Sequence, residues 1–166
     1  ADEMLAGYDL FREAKVRAFW ARQPNSKLRP RLLERLYPYL ARSPAAAKGM
    51  ARRFFGQDLE RADEPGFSHF PRWRAASALK RFFSQQTAEA LRGVDAERRL
   101  LSTLPPEFAG WDALSRAQYL ELRTLLPGYI LSSQGDRMLM AHSVEGRFPF
   151  LDPGVVEFCN ALPPTY

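Results

Sequence analysis

Two acid–base pairs stand close together late in this sequence: Asp136 with Arg137, and Glu145 with Arg147. Met138, Leu139, Met140 and Ala141 lie between them, and Phe148 to Leu151 follow. Charged side chains are seldom buried without a partner. A stretch this apolar is expected to pack inward, so its charges should sit at a cleft or be neutralised by partners. One use of such a corner is to offer positive charge to an anionic substrate. The other is a salt bridge that turns the chain, and spacing by itself favours that one.

A second group of acids, Asp2 and Glu3, opens the chain. In the first turn of a helix, carboxylates are favoured by the helix dipole. Beside backbone N–H groups, such a carboxylate can also share a magnesium ion with a bound phosphate chain. Magnesium is commonly held by one or two carboxylates plus phosphate oxygens. The remaining reactive side chains offer less. His69 stands alone and reads as structural, and Cys159 lies in an apolar helical pattern as a small buried hydrophobe. The two histidines and one cysteine are far apart and make no zinc site.

The elements that must position these groups read as helices. Asp2 to Arg22 has apolar residues three and four apart and no proline. Ser26 caps a second helix over Leu28 to Ala41, with Leu32, Leu33, Leu36 and Tyr37 inward and Pro38 ending or kinking it. Ser43-Pro44 starts a third, running to about Phe55. Gly56 to Pro71 has no period, and its aromatic end, Phe67 to Trp73, reads as a packed loop. Short helices follow over Ala75 to Phe83, Thr87 to Leu91 and Glu97 to Leu104. Leu114 to Leu126 is a strong helix, and Tyr129 to Ser132 a short apolar turn. Asp152 caps the last helix, with Pro153 in its first position and Val155, Val156, Phe158, Cys159 and Leu162 on its inner face. No alternating run marks a strand, so the fold class is mainly α.

Bulk properties narrow the function. At 166 residues, 46% apolar and 26% charged, the chain has the composition of a soluble globular protein. No apolar run approaches the ~20 residues that cross a bilayer. A single cysteine fits a reducing cytoplasm. The net charge of +5 is uneven: residues 27–100 hold 16 bases and 8 acids. Such a middle could make a basic helical binding module for nucleic acid. Its bases are scattered among apolar positions, so a solvated helix face is preferred and nucleic acid is an unlikely partner.

The string Asp136-Arg137-Met138, Met140-Ala141, then Val144-Glu145-Gly146-Arg147-Phe148-Pro149-Phe150-Leu151-Asp152 resembles the signature of the glutamine-dependent asparagine synthetases. The opening Ala1-Asp2-Glu3-Met4-Leu5-Ala6-Gly7-Tyr8 resembles the end of a second signature, Gly-x-Gly-Ala-Asp-Glu-x-x-x-Gly-Tyr. The resemblance implies the later, helical part of an α/β ATP-pyrophosphatase-type ligase domain, whose parallel sheet lies upstream. Residues 1–166 would be one incomplete ligase domain. The family's Ser-Gly-Gly-x-Asp-Ser nucleotide loop and N-terminal glutaminase domain are not among these residues.

The implied activity is ATP-dependent. The side-chain carboxylate of aspartate is adenylated, pyrophosphate leaves, and ammonia from glutamine forms the amide. The implied cofactors are ATP and magnesium, with Asp2 as the magnesium ligand and Glu3 a weaker candidate. Asp136, Arg137, Glu145 and Arg147 are the nucleotide- and substrate-pocket candidates; the main catalytic residues would lie outside this chain. Positive charge from Arg137 or Arg147 would let two anions meet, and Glu145 would orient Arg147. The implied partners are the glutaminase domain and a homodimer mate. Related amide-forming ligases, the β-lactam synthetases and lasso-peptide cyclases, are alternatives with other acceptors. The expectation to test is that Asp2 and the Glu145–Arg147 corner form two sides of one magnesium-nucleotide pocket.

Overall fold

Asp2 to Arg22 is not one helix. In the computed structural model, which describes Ala1–Pro164, residues 2–6 form a tight turn and helix α1 spans Asp9–Ala21. Ala6 has φ 54°, a left-handed conformation that no α-helix can pass through. The Gly7 N–H closes the turn by donating to the Asp2 carbonyl at 2.9 Å. A Cβ on Gly7 would lie 2.2 Å from an Asp2 carboxylate oxygen, so a larger residue there would push the Asp2 side chain aside.

The chain divides into two units, one of Ala1–Phe11 with the described residues from Gly110 onward, the other of Arg12–Ala109. In the Arg12–Ala109 unit, the expected helix over Leu28 to Ala41 is broken. A 3-10 turn at Arg29–Arg31 leads into α2 (Leu32–Leu36), and α3 (Pro38–Arg42) follows. The break falls at Tyr37, φ −120° and ψ 83°, because a residue before proline is driven out of the helical region. Ser26 caps as expected, its hydroxyl accepting from the N–H groups of Leu28 and Arg29 at 3.3 and 3.2 Å. Helix α4 spans Ala45–Phe55, with Pro44 rather than Ser43 in the cap position.

Helix α5 (Phe70–Ser77) starts earlier than the pattern suggested, with Pro71 in its first turn, and a 3-10 stretch follows over Ala78–Phe82. Helices α6 (Gln85–Ala90) and α7 (Ala96–Leu101) are capped by Ser84 and Asp95. The core of this unit gathers Trp20, Leu33, Leu40, Phe55, Phe67 and Phe70. Each such side chain, fully buried, stabilises the fold by about 1.5–3 kcal/mol. The aromatic segment from Phe67 to Trp73 is therefore packed, as its composition implied, but it is not a loop throughout: from Phe70 onward it is the first turn of α5.

The other unit holds α8 (Ala113–Thr124), capped by Asp112, whose carboxylate accepts from the N–H groups of Leu114 and Ser115. Leu10 and Phe11 pack on Ala117. Where the sequence suggested a short apolar turn, α8 runs into a π-helix over Leu126–Asp136. The Ile130 N–H reaches back five residues, to the Leu125 carbonyl at 3.2 Å. Helix α9 (Arg137–Ala141) continues from it. A 3-10 turn at Pro149–Leu151 precedes α10 (Pro153–Ala161), where Asp152 caps as expected. No strand occurs among the described residues, in keeping with a helical part.

Candidate functional site

The opening turn separates its two acids. Glu3 is buried, with 2% of its surface exposed, and the Tyr8 hydroxyl donates to it at 2.8 Å. Burial alone would raise the Glu3 carboxyl; hydrogen bonds from its own backbone N–H and from Tyr8 outweigh it and hold the group below its usual range. The Tyr8 phenol is pushed upward in turn, by burial and by its bond to Glu3. Asp2 is exposed over Gly7, and no hydrogen bond or ion pair engages its side chain among the described residues. Of the two, Asp2 fits magnesium: a single accessible carboxylate, free to share the ion with phosphate oxygens. Glu3 does not, being spent on Tyr8.

Helix α8 fixes the turn, because the Gln118 side-chain amide donates to the Met4 carbonyl. Between them lies a cavity of about 560 Å³, lined by Met4, Leu5, Ala6, Trp111, Tyr119 and Cys159, among others. Neither Asp2 nor Glu3 lines it, and neither do Asp136, Arg137, Glu145 or Arg147. Cys159 is a free, buried thiol, as its helical setting implied.

The late charged corner lies open. Asp136 and Arg137 are exposed at the junction of the π-helix with α9. After α9 the chain reverses through Ser143, φ 55°, and the Val144 N–H donates to the Leu139 carbonyl at 2.9 Å. Glu145 and Arg147 form an ion pair with each other, their side chains 75% and 78% exposed. Gly146 between them lies under Leu139 and Phe148. The expectation that this apolar stretch packs inward does not hold within this chain. Met138, Met140 and Phe150 are 54%, 74% and 53% exposed, because no described element covers them. Phe158 of α10, expected on the inner face, is likewise 65% exposed. Among the described residues no hydrogen bond or ion pair joins Asp2 to the corner, and no cluster of three metal-ligating side chains occurs.

A second set of buried charges lies in the Arg12–Ala109 unit. Arg17 is 1% exposed and donates to three carbonyls, those of Phe55, Gln57 and Phe67, at 2.9, 2.8 and 2.6 Å. Burial pushes its guanidinium down to about 10, with Asp58 and Glu13 pulling the other way. Glu13, one turn earlier on α1, accepts from Tyr37 and pairs with Arg72 at 2.6 Å. Asp58, at φ 56°, is bound by Arg74 and lies 3.8 Å from Arg61. One signal could have exposed this network: Glu13 and Arg17 are four apart and flank the apolar Ala14 and Ala18 of α1.

A comparison with protein families matches the one described as asparagine synthase, over residues 1–166. Among curated proteins, asparagine synthetase (glutamine-hydrolyzing) 1 of Bacillus subtilis is 26% identical over 163 residues, 98% of this chain and 24% of that protein. A Mycobacterium bovis protein named "Putative asparagine synthetase (glutamine-hydrolyzing)" is 47% identical over 57 residues, 34% of this chain and 9% of its own length. Amidase chry2 of Gibberella zeae is 42% identical over 55 residues, 33% of this chain and 8% of that protein. The chain thus spans a quarter or less of the curated relatives it matches. No solved structure matches.

Proposed function

The chain belongs to the asparagine synthase family, and from that premise we propose that it is the later, helical part of an ATP-dependent amide-forming ligase. The ligase adenylates the side-chain carboxylate of aspartate, releases pyrophosphate, and forms asparagine with ammonia taken from glutamine. The supporting observation is the family match across residues 1–166, which takes in both charged signatures. The reading requires a nucleotide loop and a glutaminase domain elsewhere in the protein.

In this reading Asp2 holds magnesium, its carboxylate being accessible while Glu3 is bonded by Tyr8. Magnesium, when bound, neutralises the phosphate chain so that a carboxylate can approach it. Glu3 and Tyr8 keep the turn rigid beneath Asp2, and Gln118 fastens it to α8. Arg147 supplies positive charge toward the reacting anions, and Glu145, already paired with it, sets its direction. Asp136 and Arg137 line the same substrate side. The exposed apolar residues around them, Met138 and Phe150 among them, face the remainder of the ligase domain and help exclude water, which keeps ammonia unprotonated.

A second reading keeps the chemistry and changes the acceptor. It draws on the amidase-named relative, which is 42% identical over 55 residues. One experiment separates the two: pyrophosphate release by the full-length protein with magnesium and ATP, offered aspartate or other carboxylic acids. Release that depends on aspartate supports the first reading. Release only with another carboxylate supports the second, and none with any acid overturns both.

A further inference from the structure

Helix α4 carries a glycine with no packing reason to be there. A Cβ added at Gly49 would meet nothing within 4 Å, whereas one at Gly56 would strike Trp20 at 2.8 Å. Glycine in a helix interior is unfavourable relative to nearly every other residue, so an open-sided Gly49 calls for something that approaches the backbone. A groove of about 250 Å³ runs past it, lined by Lys27, Arg31, Lys48 and Arg52 with Glu34 as its one acid. A larger cavity of about 550 Å³ opens on its other side, sharing Gly49 and Arg52.

The four bases are unneutralised. None of them is in an ion pair among the described residues. Lys48 is held by the Ala41 carbonyl at 2.7 Å; Arg52 reaches the Ser26 carbonyl at 3.4 Å and lies over the Trp20 ring, 5.9 Å from its centroid. Lys27 and Arg31 have no side-chain hydrogen bond among the described residues. Four like charges on one concave surface repel one another and focus a positive field. The wall is otherwise aliphatic, with no aromatic ring to stack a base.

We propose that this groove on α4 binds a compact polyphosphate, such as the phosphate chain of a nucleotide or free inorganic polyphosphate. Gly49 lets the anion lie against the helix, Lys27 and Arg31 reach it from one side, and Lys48 and Arg52 from the other. Nothing in the proposed ligase chemistry uses these residues, so the site stands apart from that reading.

The test is calorimetric titration of inorganic tripolyphosphate into the full-length protein, with its ligase nucleotide site occupied by AMP, whose single phosphate leaves the groove open to a polyphosphate. One further equivalent should bind. The Lys48→Gln, Arg52→Gln double variant should weaken it more than tenfold, and Gly49→Leu should do the same without lowering the melting temperature. A Gly49→Leu variant that melts later yet binds tripolyphosphate as before overturns the proposal, as does binding that survives loss of both bases. Displacement of the bound tripolyphosphate by ATP but not by longer inorganic polyphosphate would identify a nucleotide as the source, and the reverse would identify free polyphosphate; a single-stranded RNA that binds this face where tripolyphosphate does not would overturn the proposal.

Discussion

The Tyr8 hydroxyl donates to the buried Glu3 carboxylate at 2.8 Å, joining the two ends of the turn that presents Asp2. Removing that hydroxyl leaves a buried carboxylate short of one donor, a loss of about 1–3 kcal/mol. Tyr8→Phe should therefore lower stability by that amount in a urea titration. Because the folded Glu3 is held below its unfolded value, its contribution is present above the unfolded pKa and fades as pH falls through the folded one. The deficit of Tyr8→Phe should accordingly shrink on acidification.

Asp2 should behave in the opposite way. It is exposed and unbonded, so Asp2→Asn should leave the melting temperature unchanged. In the full-length protein it should cut magnesium-dependent pyrophosphate release on the order of 100-fold, the scale of losing one charge-stabilising group at a reacting centre. Unchanged release would remove Asp2 from the metal site.

Arg17→Met should be the most damaging substitution of the set. It strips one donor group from each of three carbonyls, two of them buried, and removes the cation beside Glu13 and Asp58. Breaking a buried charged network of this kind costs about 3–5 kcal/mol. Arg17→Lys should recover only part of it, since one ammonium cannot span the Phe55, Gln57 and Phe67 carbonyls in the fixed directions of a guanidinium. Chemical denaturation of both variants reads the difference.

Arg147→Ala and Glu145→Gln should each shift stability by less than about 0.5 kcal/mol, as expected for exposed positions. Their effect belongs to turnover. If Glu145 orients Arg147, Glu145→Gln should lower activity by less than Arg147→Ala, and the double variant should fall no further than Arg147→Ala alone. Additive losses would mean the two act separately.

Much of the helical layout was legible because capping and proline chemistry are local. Asp152 with Pro153, Ser26, and the break at Pro38 are set by a residue and its immediate neighbours. What escaped was non-local. Nothing near Ala6 announces a left-handed residue, so the opening turn was merged with α1. The irregular run after Gly56 gave no period because its order comes from Arg17, 38 residues before Phe55, reaching across to its carbonyls. The corner at Glu145 and Arg147 misled for the reverse reason. Its apolar neighbours signal burial, yet the surface that would bury them is not contributed by these residues. The magnesium and pocket assignments came from the resemblance, since two adjacent acids carry no such message by spacing alone.

The π-helix from Leu126 to Asp136 links α8 to α9 without an intervening loop. Its wider coil sets the angular phase at which Arg137 emerges from the axis. Each residue of an α-helix advances the chain by about 100°, so deleting a single residue from this stretch would swing the side chains of α9 about a quarter-turn or more around the helix axis. Insertions and deletions here act as a rotary adjustment, and sequence drift in length should be tolerated in the open loop around Gly93 far more readily than between Pro127 and Gly135.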